Sequence, residues 1–251
     1  MCELLAAAFP EPRPFDELAG AAELLERYGL AGYGWGVAWL DDGGTGQPGA
    51  AGTAHPSAAG TVRVVRNTGR FVDEALTGGL LGRHLSRRWL VHLRRPSRLL
   101  TVSMADTQPF AQDGEYAFCH NGFLERAEQL RPQFADRLEG RADSEVGWAW
   151  FQDRLAAGAD PEAALRGVDE TFGGTVNLAY LGADGRLAVY AGNKTNPMWQ
   201  FRLGGGELAA TALHSDDDAV FDWIFSDATD RRRLDASGTV GELGGPVRSA
   251  A

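Results

Sequence analysis

The order of the predicted elements constrains this 251-residue chain most. Leu4 to Phe9 is an unbroken apolar run and reads as a buried strand at the extreme N-terminus, ended by Pro10 to Pro14. Asp16 to Tyr28 has helical spacing at Leu18, Leu25 and Tyr28. Tyr33 to Leu40, Thr61 to Arg66 and Arg88 to Leu93 read as strands, and Phe71 to Leu81 as a helix. Gly43 to Gly60, rich in Gly, Ala and Pro, reads as a mobile loop. Tyr116 to His120 is a strand that runs into the turn-forming pair Asn121-Gly122. Helices are predicted over Leu124 to Leu138 and Ser144 to Ala157, and a third starts at Asp160-Pro161-Glu162 with proline at its first position.

The last third reads as successive strands: Thr175 to Leu181, Leu187 to Tyr190, Met198 to Leu203 and Leu208 to Leu213, with a hairpin signal at Ala183-Asp184-Gly185. No linker and no internal repeat divides the chain. Strands, then helices, then strands in one length predict a single α+β layered domain over residues 1–251, and the hairpins argue against a parallel doubly wound sheet.

Composition narrows the partners. A net charge of −10 disfavours nucleic acid and anionic membrane surfaces. Lys194 is the single lysine among 24 basic residues, a skew that says little about mechanism. Cys2 and Cys119 are the two cysteines, too few for a disulfide framework, and no Cys/His spacing resembles a zinc site. No apolar run approaches a membrane span, and the apolar start is short and lacks a basic n-region, so a cytoplasmic protein without a signal peptide is expected.

Cys2 is the chemically informative residue. Removal of Met1 leaves a cysteine whose thiol and α-amine share one carbon, and a free α-amine titrates at roughly 7.7–8.0. Nucleophile and general base then arrive in one residue. An amidase also needs oxyanion donors, which the Asn121 amide and the Gly122 N–H can supply, and a clamp for an amino-acid substrate, with Arg94 as fork for a carboxylate and Asp143 for an ammonium. Each has a plainer reading: Asn121-Gly122 as a turn, Arg94 as a solvated charge, and Asp143 as the cap of the helix that follows.

Six short motifs carry a resemblance. Met1-Cys2-Glu3-Leu4-Leu5-Ala6, Gly34-Trp35-Gly36, His92-Leu93-Arg94, Gln108-Pro109-Phe110, His120-Asn121-Gly122 and Asp143-Ser144-Glu145 occur in the order seen in class II glutamine amidotransferases. The chain resembles above all the short stand-alone members, such as the γ-glutamyl amidohydrolase of ergothioneine biosynthesis. The resemblance implies the four-layered αββα sandwich of N-terminal nucleophile (Ntn) hydrolases. It also implies attack by Cys2 on the γ-amide of glutamine or a γ-glutamyl conjugate, a γ-glutamyl thioester, and no cofactor or metal.

Carried over by position, Cys2 is nucleophile and base, Asn121 with Gly122 forms the oxyanion hole, Arg94 binds the α-carboxylate and Asp143 the α-amine. Ser97 and His120 are the further substrate-side residues, although His120 and His92 read as packed strand residues rather than as half of a Cys–His dyad. The family's His-x-Arg-x-Ala-Thr is here His92-Leu93-Arg94-Arg95-Pro96-Ser97, and its Asn-x-His-Pro-Phe is Asp106-Thr107-Gln108-Pro109-Phe110. The pocket rim therefore departs from the pattern while the chemical positions match. Two alternatives stay open: a glutaminase subunit that delivers ammonia to a separate synthetase, and a catalytically retired member that binds a metabolite.

Overall fold

The computed structural model describes residues 2–43, 60–74, 81–96, 101–211, 213 and 218–245. In chain order the elements are β1 (Glu3–Pro14), α1 (Asp16–Gly29), β2 (Trp35–Asp41), β3 (Thr61–Asn67), α2 (Phe71–Glu74), β4 (Leu85–Leu93), β5 (Phe110–Gln112) and β6 (Tyr116–Leu124). Next come α3 (Ala127–Leu130), a 3-10 turn (Arg131–Phe134), α4 (Asp143–Ala156), α5 (Pro161–Phe172), β7 (Gly174–Gly182) and β8 (Leu187–Ala191). The chain finishes with β9 (Met198–Leu203), β10 (Gly206–Thr211), α6 (Asp218–Ile224), β11 (Thr229–Arg233) and β12 (Thr239–Leu243).

Two antiparallel sheets carry these strands. One has seven, in the order β11-β9-β10-β1-β4-β2-β3, and the other five, in the order β12-β8-β7-β6-β5. The period-two alternation of β1 shows how the layers form. Leu4, Ala6 and Ala8 face the core between the sheets, where they meet Cys119, Ala179 and Val189 of the second sheet. Leu5, Ala7 and Phe9 face the other way, towards Leu18, Ala22 and Leu25 of α1. On the far side, Val146 and Phe151 of α4 and Leu165 and Val168 of α5 cover Phe118, Val176 and Leu178. The result is the αββα order the resemblance implied, with each buried Leu, Val or Phe contributing about 1.5–3 kcal/mol relative to exposure.

Helix signals hold well. Pro161 sits at the start of α5 and Asp160 caps it, its Oδ2 accepting the Glu162 N–H at 3.0 Å and the Ala163 N–H at 3.4 Å. Three predictions need correction. Proline 10 to proline 14 does not end β1, because the strand continues past Ala8 with β4 as its one neighbour, a register shift in between, and edge positions tolerate proline. Asn121-Gly122 is not a turn: β6 stays in unbroken register with β7 from Tyr116↔Gly182 to Leu124↔Gly174, so the ladder overrides the local turn preference. The helix expected over Leu124 to Leu138 is a four-residue α3 followed by a 3-10 turn over Arg131–Phe134, with Pro132, which cannot donate to a continuing α-helix, in its first positions.

β11 carries no sequence signal, since Thr229–Arg233 is polar throughout, and β12 (Thr239–Leu243) is a further strand outside the sequence prediction. Most of the loop expected over Gly43 to Gly60, residues 75–80 of the helix expected over Phe71 to Leu81, and Ser97 lie outside the described residues.

Candidate active site

Sheet register places the thiol. β1 pairs antiparallel with β4 with Glu3 opposite Leu93, so one further step sets Cys2 opposite Arg94. The half-buried Cys2 Sγ accepts the Arg95 N–H at 3.4 Å and stands 3.7 Å from the Arg95 carbonyl. Burial pushes the thiol pKa up, while the Arg95 N–H and the Arg94 guanidinium pull it down.

Arg94 is held by its backbone, its N–H donating to Gly34 O at 2.8 Å and its carbonyl accepting from the Tyr33 N–H at 3.2 Å. Arg94 is 3 % exposed. Nη2 donates to Thr101 Oγ1 at 3.0 Å, and Nη1 is buried with no hydrogen-bond partner among the described residues. Burial lowers its pKa and the negative charge of Cys2, Asp106 and Asp143 works against that, but an arginine stays cationic. A buried cation with an unused donor is costly unless something anionic meets it.

Asp143 opens α4, where the helix N-terminus favours a carboxylate. It does not cap the helix as its plainer reading held: Ala142 occupies the N-cap without a side-chain bond, and Asp143 Oδ2 accepts the Leu124 N–H at 2.7 Å. Ahead of α4, Asp106 Oδ1 accepts the N–H groups of Arg141 (2.7 Å) and Ala142 (2.6 Å). The loop that carries Asp143 is thereby tied to the segment that carries Gln108.

Strand β6 supplies the remaining groups. Gln108 occupies the place of a neighbouring strand beside His120, accepting its N–H at 2.6 Å and donating to its carbonyl at 3.2 Å. Gly36 makes room for this, because a Cβ there would lie 2.3 Å from Gln108 O. The N–H groups of His120 and Leu124 both point away from β7, to Gln108 and Asp143, and the strand alternation turns the intervening Gly122 N–H the same way. Gly122 has φ +140°, and a Cβ would lie 1.7 Å from Thr175 O, so only glycine fits. The Asn121 side-chain amide donates to the carbonyl oxygen of Cys2.

A cleft of about 120 Å³ opens among these residues, lined by Cys2, Arg94, His120, Gly122, Phe123 and Asp143. Five of the seven predicted site residues thus meet at one surface. Asn121 is fully buried behind Cys2, and Ser97 lies outside the described residues. His120 bonds Ser144 Oγ through Nδ1 at 2.9 Å, and burial lowers its pKa against the raising charge of Asp143. His92 is fully buried and held neutral, its pKa pushed down to about 3 by burial, the nearby Arg94 charge adding to the effect.

Comparison with solved structures places this architecture. The chain superposes on glutamine phosphoribosylpyrophosphate amidotransferase from B. subtilis, a structure complexed with ADP and GMP, with a TM-score of 0.63 and 16% identity over 93% of this chain. The fold is that of the class II glutamine amidotransferases. The chain spans 44% of that phosphoribosylpyrophosphate enzyme's length. A glutamine aminotransferase class-II domain protein from Silicibacter pomeroyi matches with a TM-score of 0.52 and 18% identity over 84% of this chain and 88% of its own. A predicted glutamine amidotransferase from Pseudomonas aeruginosa matches with 0.50 and 14% identity over 98% of this chain and 100% of its own. No protein-family model and no curated protein matches the sequence.

Within this amidotransferase fold, sequence reasoning gave no role to the residues that hold the site in place, although it named Asp106 and Gln108 within the motifs. Thr101, Asp106 and Gln108 come from the loop before β5, and Asn177, Asn193 and Asn196 from β7 and the turn after β8. One signal was present: Asn177 interrupts the apolar run Val176 to Leu181, where a buried amide needs partners. The turn around Lys194 matters through its neighbours, since Lys194 itself is exposed while Asn193 and Asn196 are buried. Among the described residues no helix is long and apolar enough to cross a membrane.

Proposed function

We propose that the protein is a cysteine-dependent amidohydrolase that cleaves the γ-amide of glutamine or of a γ-glutamyl conjugate. The observation that supports this reading is the pairing, in one cleft, of the Cys2 thiol with a buried guanidinium whose Nη1 is unused among the described residues and with the Asp143 carboxylate. An α-amino acid carries one carboxylate and one ammonium, and those two groups complement Arg94 and Asp143. Its side-chain amide then extends to the thiol.

In the proposed reaction, loss of Met1 frees the α-amine of Cys2. The amine takes the thiol proton, and Sγ bonds to the amide carbon, placing negative charge on the oxygen. The Gly122 N–H and the second N–H of the Asn121 amide stabilise that charge, each donor worth roughly 10²–10³ in rate. Collapse breaks the C–N bond, and the leaving amine takes the proton back from the α-ammonium. Water, deprotonated by the same amine, then attacks the thioester, the C–S bond breaks, the thiol is restored and glutamate leaves.

The test is intact mass after incubation with 6-diazo-5-oxo-L-norleucine, followed by ammonia release from glutamine. A single adduct on a Met1-free Cys2, and its absence in Cys2→Ala, are the expected results. Equal turnover by Cys2→Ala defeats the reading. A second reading keeps the same chemistry but passes ammonia to a separate synthetase. The likeness to an amidotransferase that acts on phosphoribosylpyrophosphate favours it. Turnover of free glutamine that rises only when a synthetase is present separates it from a self-contained hydrolase of the ergothioneine-pathway kind, which would prefer a γ-glutamyl conjugate.

A further inference from the structure

We infer that Asn177 is a positioning residue that dictates which end of the Asn121 amide faces Cys2; this rests on the thioester reading above. Asn177 lies on β7 directly opposite Asn121 on β6, is fully buried and does not line the cleft. Its Oδ1 accepts the N–H groups of Gly192 (3.3 Å) and Asn193 (3.2 Å), and its Nδ2 donates to the Asn196 carbonyl at 2.7 Å. A backbone N–H can only donate and a carbonyl can only accept, so the backbone fixes both ends of this amide. Its remaining N–H reaches Asn121 Oδ1 at 3.1 Å. The oxygen of Asn121 is therefore bound on the β7 side, and its NH2 is turned towards Cys2.

The two ends of an asparagine amide are close to equal in shape, so packing alone does not choose between them. Flipped, Asn121 would set its Oδ1 against the Cys2 carbonyl oxygen and its Nδ2 against the donor Nδ2 of Asn177. A buried mismatch of that kind is strongly disfavoured. In the flipped state Asn121 would also present a carbonyl to the developing oxyanion and repel it. Orientation thus passes from the backbone at 192 and 193, through Asn177, to the amide beside the nucleophile.

Asn177→Asp tests this, because a carboxylate keeps the acceptor for Gly192 and Asn193 but removes the donors to Asn121 and to the Asn196 carbonyl. With L-glutamine as substrate, kcat is expected to fall roughly 10²-fold, the scale of one lost oxyanion donor, while KM stays within about threefold because Arg94 and Asp143 are untouched. The double variant Asn121→Ala/Asn177→Asp should be no slower than Asn121→Ala, since Asn177 acts through Asn121. Losses that multiply, or a loss confined to KM, overturn the inference. Should the Asp variant not fold, Asn177→Ala enters the same cycle with the same expectation.

A readout without turnover separates this inference from the functional reading. The side-chain ¹⁵N–¹H₂ signal of Asn121, identified by its absence in Asn121→Ala, should shift in the Asn177 variant. A shift in a protein that hydrolyses nothing defeats the reaction and leaves the positioning intact. An unshifted signal defeats the positioning.

Discussion

Gln108 holds His120 at both backbone polar groups, with Oε1 on its N–H at 2.6 Å and Nε2 on its carbonyl at 3.2 Å. β5 pairs with β6 from Tyr116 to Phe118, so beyond that point a single side chain continues the ladder next to Asn121 and Gly122. Both residues are buried. Replacing Gln108 by leucine leaves two buried polar groups of His120 without partners, at about 1–3 kcal/mol each. Chemical denaturation of Gln108→Leu should show that loss, and Gln108→Glu, which keeps the acceptor, should lose less. Wild-type stability in Gln108→Leu would show that water replaces the side chain.

Gly122 tolerates no side chain. An alanine Cβ would press on Thr175 O at 1.7 Å, and φ +140° is strained for any L residue. Gly122→Ala should lower stability by more than about 2 kcal/mol, a melting decrease of roughly 4–8 °C for a chain of this size, and abolish turnover. Melting by circular dichroism checks the first, ammonia release the second. Full activity in Gly122→Ala would remove this glycine from the site.

Arg94→Lys keeps a positive charge and loses the planar fork. Removing one charge-assisted hydrogen bond costs about 1.5–3 kcal/mol, so KM for glutamine should rise roughly 10- to 100-fold with a smaller change in kcat. Steady-state kinetics decide it. An unchanged KM would place the substrate carboxylate elsewhere.

Glu3 carries a pH signature. Burial pushes its pKa up to about 7, although Thr211 Oγ1 at 2.5 Å and Asn196 Nδ2 at 3.4 Å stabilise the charged form. In the unfolded chain the group ionises near 4.5. Between those values the unfolded state has released a proton that the folded state retains, so Glu3 lowers stability as pH rises from about 4.5 to about 7, and the cost persists above. Glu3→Gln should therefore gain stability relative to wild type at pH 8 and not at pH 4. His92 acts with the opposite sign: its neutral folded form, with pKa about 3, costs stability as pH falls below about 6.5. The difference between wild type and Glu3→Gln in paired pH–melting curves isolates the glutamate. A difference independent of pH would show that Glu3 ionises in the folded protein just as it does in the unfolded chain.

The elements that sequence reasoning located are those whose side chains speak for themselves. Leu4, Ala6 and Ala8 alternate with Leu5, Ala7 and Phe9 on β1, and Asp160-Pro161 marks the start of α5. Where the neighbour decides, local signals misled: Asn121-Gly122 is a turn pair by composition and a strand pair by the ladder with β7. β11 was invisible because a polar edge strand takes its hydrogen bonds from β9 and buries little apolar surface.

The sequence by itself determined the order of chemical groups: a cysteine ahead of a buried strand, an arginine at the end of β4, an Asn-Gly pair on β6 and an aspartate opening α4. Cys2, Arg94 and Asp143 lie at strand or helix ends, and Asn121-Gly122 lies within β6. Only the tertiary structure decided what holds them. Gln108 meets His120 across 12 residues, Asn177 meets Asn121 across 56, and Thr211 meets Glu3 across 208. A buried polar group must find a partner wherever the packed layers bring one, and that partner's place in the chain leaves no local trace for periodicity or spacing to reveal.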